Sequence, residues 1–418
     1  MPRLLLLTQY FAPEIGAAQT RLYEFGQELS GLGWEVEVLT ALPNYPTGKV
    51  FKGYEPGKPV RETLGRLSVV RVPLKPAQKG FINRLVCYYS FVMSANRWGR
   101  KLCNKPDVLF VESPPLFIGA AAVSLSKYWG VPFVFNVSDL WPESARSMGV
   151  VKNRLMLYLA ERLELSYYRR AALVTGTAVE IVSSVRQRSP TPAELITNGV
   201  DIERFGPQYA DDAARSLLGT DGRVTFIYAG VMGVAQGLDR ILDVSVRVRD
   251  LSQVQFVLIG EGAERESLKR RVQVERLHNV QVLGPQPKER IPALLAAADG
   301  VFNVLKFSIP GAVPSKIYEA MATGLPILFG GEGEGARRIL EANAGIVVPY
   351  GDITALEHGI RKLATQPDLR QQFGKAGRLA AEKLYSRKEI ARRLHELLLT
   401  TMGSTQSLIS IQLEHSNK

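Results

Sequence analysis

The stretch Pro314-Ser315-Lys316-Ile317-Tyr318-Glu319 sets a cation and a carboxylate three residues apart, just behind a proline. Proline is favoured at the first position of a helix, and residues at i and i+3 share a helix face. Lys316 and Glu319 are therefore expected to point from one face of a helix's first turn. A lysine there opposes the helix dipole, and a nearby anion would account for it. One ligand satisfies every charge in the set: a diphosphate held by Lys316 and free backbone N–H groups, with Glu319 accepting from two vicinal ribose hydroxyls. A local Lys–Glu surface pair is the structural alternative.

Glycine-bearing loops that feed helices provide a second signal for phosphate. The loop Gln9-Tyr10-Phe11-Ala12-Pro13-Glu14-Ile15-Gly16-Ala17-Ala18 follows an apolar run and leads to a helix beginning near Gln19. Gly16 in isolation would also suit a tight turn. Further on, Ala229-Gly230-Val231-Met232-Gly233-Val234-Ala235-Gln236-Gly237 joins a strand to a helix, and Gly260-Glu261-Gly262 follows the apolar run 256–259. Three such loops at strand ends point to a bound phosphate or nucleotide more than to turns alone.

The elements that must position these residues are legible as short apolar runs alternating with helical patterns. In the first half, 4–8, 35–40, 68–72, 108–111, 133–137 and 173–175 read as strands, with helices over 20–32, 81–104, 117–129 and 153–171. This is the repeated strand–helix pattern of a parallel sheet. The pattern restarts with strands at 224–228, 255–259, 280–283, 300–304, 326–329 and 345–348. The expected fold class is α/β, two Rossmann-like domains facing across a cleft, with ligands at the carboxyl ends of the strands. The expected division is an N-terminal domain over 1–205, a polar linker over 206–222, a C-terminal domain over 223–400 whose last helix can cross back to the first, and a frayed polar tail over 401–418.

Composition narrows the function classes. The 418 residues are 46% hydrophobic and 22% charged, an ordinary globular balance that sets aside disorder and fibrous classes. No apolar run approaches the roughly 18 to 20 residues that span a bilayer, and 113–126 is broken by Pro114 and Pro115. The leucines behind Met1 are followed too soon by Gln9, Pro13 and Glu14 for a signal peptide, and read as a buried strand. Two cysteines, Cys87 and Cys103, and four histidines show no metal or redox spacing, so a reduced, cytosolic, metal-free protein is expected. The net charge is +12, and segment 63–106 carries Arg66, Arg71, Lys75, Lys79, Arg84, Arg97, Arg100, Lys101 and Lys105 with no acidic residue. Interleaved Phe81, Tyr88, Tyr89, Phe91 and Trp98 make that stretch suited to an anionic headgroup interface. A helix with core-facing aromatics and solvated arginines is the plainer alternative.

Taken together, Pro-Ser-Lys-x-x-Glu-x-Met-Ala-x-Gly-x-Pro from Pro314, Pro-Glu-Ile-Gly-Ala-Ala at 13–18, Asn-Tyr-Pro-Thr-Gly at 44–48, Asp-Leu-Trp-Pro-Glu-Ser at 139–144 and Asn-Gly-Val-Asp at 198–201 resemble family 4 retaining glycosyltransferases. Within that family the chain is similar to the bacterial branch that builds O-antigen, capsule and colanic acid, including fucosamine transferases. The resemblance implies the GT-B architecture, metal-independent transfer with no cofactor, and a donor bound mainly by the second domain. It implies donor contacts at Gly16, Gly230, Gly233, Gln236, Gly237, Gly260, Gly262, Gly311, Ala312, Val313, Ser315, Lys316 and Glu319. Acceptor contacts would fall at Arg21, Asn44, Tyr45 and Glu143. Asp139 or Glu143, at a strand end, would orient an acceptor hydroxyl or support positive charge at the anomeric carbon, and Asp139, Lys316 and Glu319 form the expected catalytic set. A helix-capping role is the alternative for Asp139.

Two departures stand out. The first of the family's paired glutamates falls at Gly311, so backbone N–H groups of 311–313 would serve the sugar. The usual Arg and Lys of the first loop in the second domain fall at Val231 and Gln236, which leaves Lys316 to neutralise the leaving diphosphate. The implied partners are a nucleotide sugar, with UDP favoured and an N-acetylated amino sugar in view, a polyprenyl-diphosphate-linked saccharide and an anionic membrane surface, with no nucleic acid. The implied place is cytoplasmic, peripheral on the inner face of the cell membrane. Rival readings are a sugar-nucleotide epimerase of the same architecture, a catalytically weakened nucleotide-binding relative, a nicotinamide oxidoreductase and a nucleic-acid-binding protein. No Gly-x-Gly-x-x-Gly follows the first strand and no nucleic-acid motif accompanies the basic segment.

Overall fold

The computed structural model describes residues 1–77, 80–147, 151, 153–307, 311 and 313–416, and the chain divides into two compact units. One comprises Met1–Asn198 with Arg387–Lys418, the other Gly199–Ser386.

In the first unit the strands are β1 (Arg3–Leu7), β2 (Glu35–Ala41), β3 (Val60–Leu64), β4 (Leu67–Val72), β5 (Val108–Ser113), β6 (Phe133–Val137), β7 (Leu173–Gly176) and β8 (Ala193–Leu195). They form one sheet in the order β3-β4-β2-β1-β5-β6-β7-β8, parallel except for the β3–β4 pair. The leucine run at the start of the chain is the central strand, with Leu4 opposite both Val36 and Val108. Period-two alternation sends Leu5 and Leu7 into a core with Phe91, Leu109 and Val111. Leu4 and Leu6 enter the opposite core, with Leu22, Phe25 and Trp34. Burial on both faces explains why the strand is a continuous apolar run.

The second unit repeats this with β9 (Val224–Ala229), β10 (Val254–Ile259), β11 (Val280–Leu283), β12 (Gly300–Val304), β13 (Ile327–Gly330) and β14 (Gly345–Val348), in the order β11-β10-β9-β12-β13-β14, all parallel. Ile227, Val257 and Phe329 enter one core, and Phe226, Phe256 and Leu328 the other.

The expected domain limits need correction. Stretch 206–222 is not a free linker: Asp211 caps the helix Asp212–Leu218 at Ala214 N–H, and Ala214 and Leu218 are fully buried in the second unit's core. Val200 bridges Ser386 and donates its N–H to the Tyr385 carbonyl, so the second unit begins and ends where those residues pair. The helix Arg387–Ser416 belongs to the first unit, where Leu394 and Leu398 join the core of Leu22 and Trp34, and Trp34 Nε1 donates to His395 Nδ1 at 2.8 Å. The helix runs to Ser416 and Thr401 is buried, in place of a tail frayed from 401. The sequence pattern also overlooks β3 and β8, both short and only partly apolar.

Candidate functional site

In an open parallel sheet, ligands sit outside the carboxyl ends of the strands where the strand order reverses. In the second unit that reversal lies between β9 and β12, since β9 neighbours β10 on one side and β12 on the other. Gly230 directly follows β9, and the helix Ser315–Thr323 follows β12. Pro314 is the N-cap residue, one position earlier than its usual helical place, with no side-chain cap and no acidic residue in the first turn. The helix forms because Ile317, Tyr318, Ala320, Met321 and Ala322 bury one face, and Gly324 ends it in the left-handed region at φ 75°. Lys316 and Glu319 are left half-buried on the remaining face.

Lys316 Nζ lies 4.9 Å from the centroid of the Tyr228 ring. Tyr228 Oη donates to the Val231 carbonyl at 2.6 Å and lies 3.2 Å from Gln236 Oε1, which ties the loop after β9 to the ring beneath the lysine. Among the described residues no carboxylate lies at ion-pair distance from Lys316. Burial pushes its ammonium below the ordinary value, and Glu319 pulls it partly back. Burial raises the Glu319 carboxyl against the pull of Lys316, Arg204 and Lys288. Arg204 donates to the Lys288 carbonyl at 2.8 Å, and Glu289 is the other acidic neighbour of Lys288. Three cations thus gather around Glu319, a charge balance suited to a polyanion rather than to a closed Lys–Glu pair.

The glycines divide into two kinds. A Cβ on Gly260 would fall 1.8 Å from the Gly230 carbonyl oxygen, and one on Gly262 would fall 2.4 Å from the Met232 carbonyl oxygen. Backbone packed on backbone requires glycine at both, with Met232 N–H donating to Glu261 O at 2.8 Å. Gly237 is left-handed at φ 58°. Gly233 has ordinary dihedrals and only Val231 within 4 Å of a Cβ, so nothing in the protein itself demands glycine there. Gly230 combines φ 152° with a Cβ position 2.4 Å from Lys316 Cε and 2.7 Å from its Nζ. Gly230→Ala is therefore expected to displace Lys316 and to weaken nucleotide binding about tenfold, while lowering stability by about 1 kcal/mol. Calorimetric titration and thermal melts check this, and unchanged affinity would show that the lysine needs no fixed place.

Ser315 is the first residue of the helix, and Gly311 is buried in a left-handed turn at φ 75°. Val313 packs against the second unit's core. Ala312, Ile309, Pro310 and Lys79 lie outside the described residues.

In the first unit, two of the residues expected at the acceptor are enclosed. Arg21 is 2% exposed and forms an ion pair with Glu112, itself 2% exposed, at 2.6 Å. Its guanidinium also donates to Ser138 Oγ at 2.9 Å and Asn198 Oδ1 at 2.5 Å. Glu112 accepts in addition from Asn136 at 2.6 Å and Ser138 at 2.5 Å. Arg21 is thus enclosed in an internal knot joining the helix Ala17–Gly31 to β5, β6 and Asn198. Asn44 is also buried; its side chain donates to Leu42 O at 2.9 Å and its backbone N–H to Glu14 Oε1 at 2.7 Å. Glu14 holds the Tyr45 N–H at 2.8 Å and the Phe11 N–H at 3.0 Å, and so fastens the 44–48 loop to the loop after β1. Burial still raises the Glu14 carboxyl, against these donors.

Other named residues keep an open aspect. Tyr45 is 45% exposed with its ring 5.6 Å from Tyr10, and Glu143 is exposed at the start of the helix Glu143–Ser147. Gly16 is the N-cap of Ala17–Gly31 in extended backbone, with Gln19 folded against it. Asp139, two residues past β6, accepts from Ser144 Oγ at 3.0 Å through Oδ2, while its buried Oδ1 has no partner. Burial raises this carboxyl.

Arg204, Lys288 and Tyr228 escaped the sequence reading. Lys288 sits in the polar run Gly284-Pro285-Gln286-Pro287-Lys288 and Arg204 in the assumed approach to a linker, contexts that read as solvated surface. No local periodicity signals their proximity to Glu319.

Residues 16–199 match the family Glycosyl transferase 4-like domain, and residues 211–380 match Glycosyl transferases group 1. WcaI of Escherichia coli K12, named for colanic acid biosynthesis, is 28% identical over 332 residues, covering 75% of this chain and 79% of its own. The Saccharomyces cerevisiae GPI3 subunit of phosphatidylinositol N-acetylglucosaminyltransferase is 21% identical, over 96% of this chain and 83% of its own. Among solved structures, sucrose-phosphate synthase from Thermosynechococcus elongatus superposes with a TM-score of 0.77 at 18% identity, over 97% of this chain and 100% of its own. The lipopolysaccharide glycosyltransferase WaaG does so with a TM-score of 0.65 at 17% identity, over 93% and 98%. With two glycosyltransferase domains in succession, a switch-point lysine and carboxylate in the second, and this set of relatives, the chain belongs to the family 4 glycosyltransferases of GT-B fold and is an enzyme of the hexosyltransferase type.

Proposed function

We propose that the enzyme moves a sugar, with retention and without a metal or other cofactor, from a nucleoside diphosphate sugar to a lipid-linked saccharide in bacterial surface polysaccharide synthesis. UDP is the favoured nucleotide and an N-acetylated amino sugar, fucosamine in type, the favoured cargo, both by resemblance to the branch. The supporting observation is Lys316: a half-buried ammonium without a carboxylate partner among the described residues, at the N-terminal turn of a helix, one turn before Glu319. A departing diphosphate carries the charge that this ammonium and the helix N-terminus complement. Glu319 accepts the ribose hydroxyls, and backbone N–H groups near Gly311 serve the sugar. Asp139, whose Oδ1 is unpartnered, orients the acceptor hydroxyl or supports charge at the anomeric carbon. The acceptor is a polyprenyl-diphosphate-linked saccharide, reached from the cytoplasmic face of the inner membrane. WcaI's name supports this pathway class for a relative.

A thermal-shift screen of UDP, GDP and their sugars tests the donor, because a ligand bound only to the native state raises the melting temperature. UDP is expected to stabilise the protein, and absence of a shift with every nucleoside diphosphate would sink the reading. Glu319→Gln is expected to weaken nucleotide affinity about tenfold or more, the loss of charged hydrogen bonds to a diol. Undiminished affinity would remove Glu319 from the ribose. Turnover of the nucleotide sugar without any acceptor would favour an epimerase instead.

A further inference from the structure

The aspartate of the Asn-Gly-Val-Asp motif, Asp201, builds a turn at the start of the second unit. Its Oδ1 accepts from the backbone N–H groups of Glu203 at 3.0 Å and Arg204 at 3.2 Å, and the Phe205 N–H closes on the Asp201 carbonyl at 3.1 Å. Arg378 fastens this turn to the helix that carries Lys316 and Glu319. Its Nη1 donates to the carbonyls of Phe205 at 2.8 Å, Ile202 at 3.3 Å and Ala322 at 2.6 Å, and Ala322 belongs to that helix. From the turn Arg204 reaches the loop after β11, where its Nη2 donates to the Lys288 carbonyl at 2.8 Å. The same loop is held at its far end by Arg290, which donates to both carboxylate oxygens of Asp211 at 2.7 and 3.1 Å.

Arg204 is half-buried, its guanidinium lies 5.8 Å from the Phe205 ring, and among the described residues no carboxylate stands at ion-pair distance from it. The anion within its field is Glu319, on which Arg204 acts from the 201–205 turn, Lys288 from the loop after β11 and Lys316 from the same helix. From this geometry we infer that Arg204 is a positioning residue of the nucleotide site: it holds the Lys288 loop beside Glu319, so that the carboxylate meets the two ribose hydroxyls in one fixed place. Arginine suits both halves of the task, since its planar fork grips a carbonyl while its charge persists at every working pH. Burial by itself drives Glu319 towards protonation, and a protonated carboxyl is a poorer acceptor for a diol. Cations supplied by two other segments oppose that loss, and Glu289 in turn faces Lys288. Arg204 acts through Lys288 and Glu319 without touching the reacting atoms. The inference rests on the reading of Glu319 as the ribose acceptor and adds the residue that holds it, which the Lys316–Glu319 face does not identify.

The full-length protein is titrated calorimetrically with UDP and 2′-deoxy-UDP, and with GDP and 2′-deoxy-GDP, from neutral into acid pH. The wild-type protein is expected to bind the ribonucleotide about tenfold more tightly than its deoxy counterpart, the value of one charged hydrogen bond. In Arg204→Ala that preference is expected to fall to about twofold. The acid-side loss of affinity moves to higher pH in the same variant, because one of the cations that lower the Glu319 carboxyl is gone. Glu319→Gln, which lacks the titrating group, gives the baseline for protonation of the nucleotide itself. In Arg204→Lys the charge remains, so the acid-side loss stays near its wild-type pH, while the ribose preference returns only in part for want of the fork. A merely structural arginine would weaken both nucleotides of a pair alike and leave their ratio and the acid-side pH unmoved, and that result overturns the inference. Lys288→Met removes an exposed side chain and keeps the carbonyl that Arg204 grips, so it provides the same reading should Arg204→Ala not fold. Its acid-side loss is expected to move to higher pH as well, and an unmoved profile counts against the inference. A wild-type protein indifferent to the 2′-hydroxyl overturns the ribose role of Glu319, and this inference with it, whereas discrimination that survives intact in Arg204→Ala overturns only the role of Arg204.

Discussion

Lys316→Ala is expected to reduce turnover by about two to three orders of magnitude, the cost of about 3 to 4 kcal/mol typical of losing one donor aimed at developing charge. The family's usual Arg and Lys in the loop after β9 are Val231 and Gln236 here, so no neighbouring cation of that loop can substitute. Val231 is exposed and lends only its carbonyl, to Tyr228, while Gln236 Oε1 lies 3.2 Å from the same hydroxyl. Nucleotide affinity should fall by much less than kcat, because charge on the diphosphate grows as the glycosidic bond breaks. The pH profile provides a second check. Burial lowers the Lys316 ammonium below its ordinary 10.5, so the free enzyme loses this charge as pH rises through that lowered value. An alkaline fall in kcat/KM is expected to begin below 10.5 and to shift upward in Lys316→Arg, whose guanidinium stays charged. A Lys316→Ala enzyme with near wild-type turnover would take the lysine out of the reaction.

The other large effect is on stability. Glu112→Ala is expected to destabilise the first unit by about 3 to 5 kcal/mol, since it strands the Arg21 guanidinium in the interior and removes the acceptor used by Asn136 and Ser138. A denaturant midpoint close to wild type would show that the knot can relax or hydrate. The double change Arg21→Met with Glu112→Leu should recover much of the loss, because a buried pair replaced by apolar volume no longer leaves a lone charge. Arg387 adds to the local demand. Burial first, and then Arg21, lowers its guanidinium to about 10, and its Nη1 is paired with Glu24. The basic residue that resemblance assigned to the acceptor is thus occupied in holding together the ends of β5 and β6.

Parallel strands covered on both faces must be apolar along their length, and helices of this fold class carry their own 3.6-residue pattern. The strands of both sheets were for that reason legible from local sequence to within a residue or two, β3 and β8 excepted. Edge strands with polar faces carry no such signature: β3 alternates half-buried and exposed residues throughout. The pairing of Lys316 with Glu319 was equally local, because helix geometry alone puts i and i+3 on one face. The exposed stripe of Phe81–Leu102 was visible as a basic, aromatic segment, although only its burial pattern separates the core-facing Cys87 and Phe91 from the outward Ile82 and Tyr89.

Residues that meet through crossover connections were not legible. Arg21 finds Asn198, 177 residues away, and Ser138, 117 away, and no property of their types foretells that the arginine is consumed inside. Gly260 and Gly262 resemble phosphate-loop glycines in sequence, but are set by carbonyls of another loop that only the sheet order brings within contact. Arg204 and Lys288 reach Glu319 in the same way. What the chain's local chemistry determined by itself was the element pattern and the lysine–carboxylate face, because helix and strand periods are properties of neighbours in sequence. Which charges stand open to a ligand and which are spent on one another was decided by tertiary structure, because that depends on desolvation and on partners supplied by distant strands.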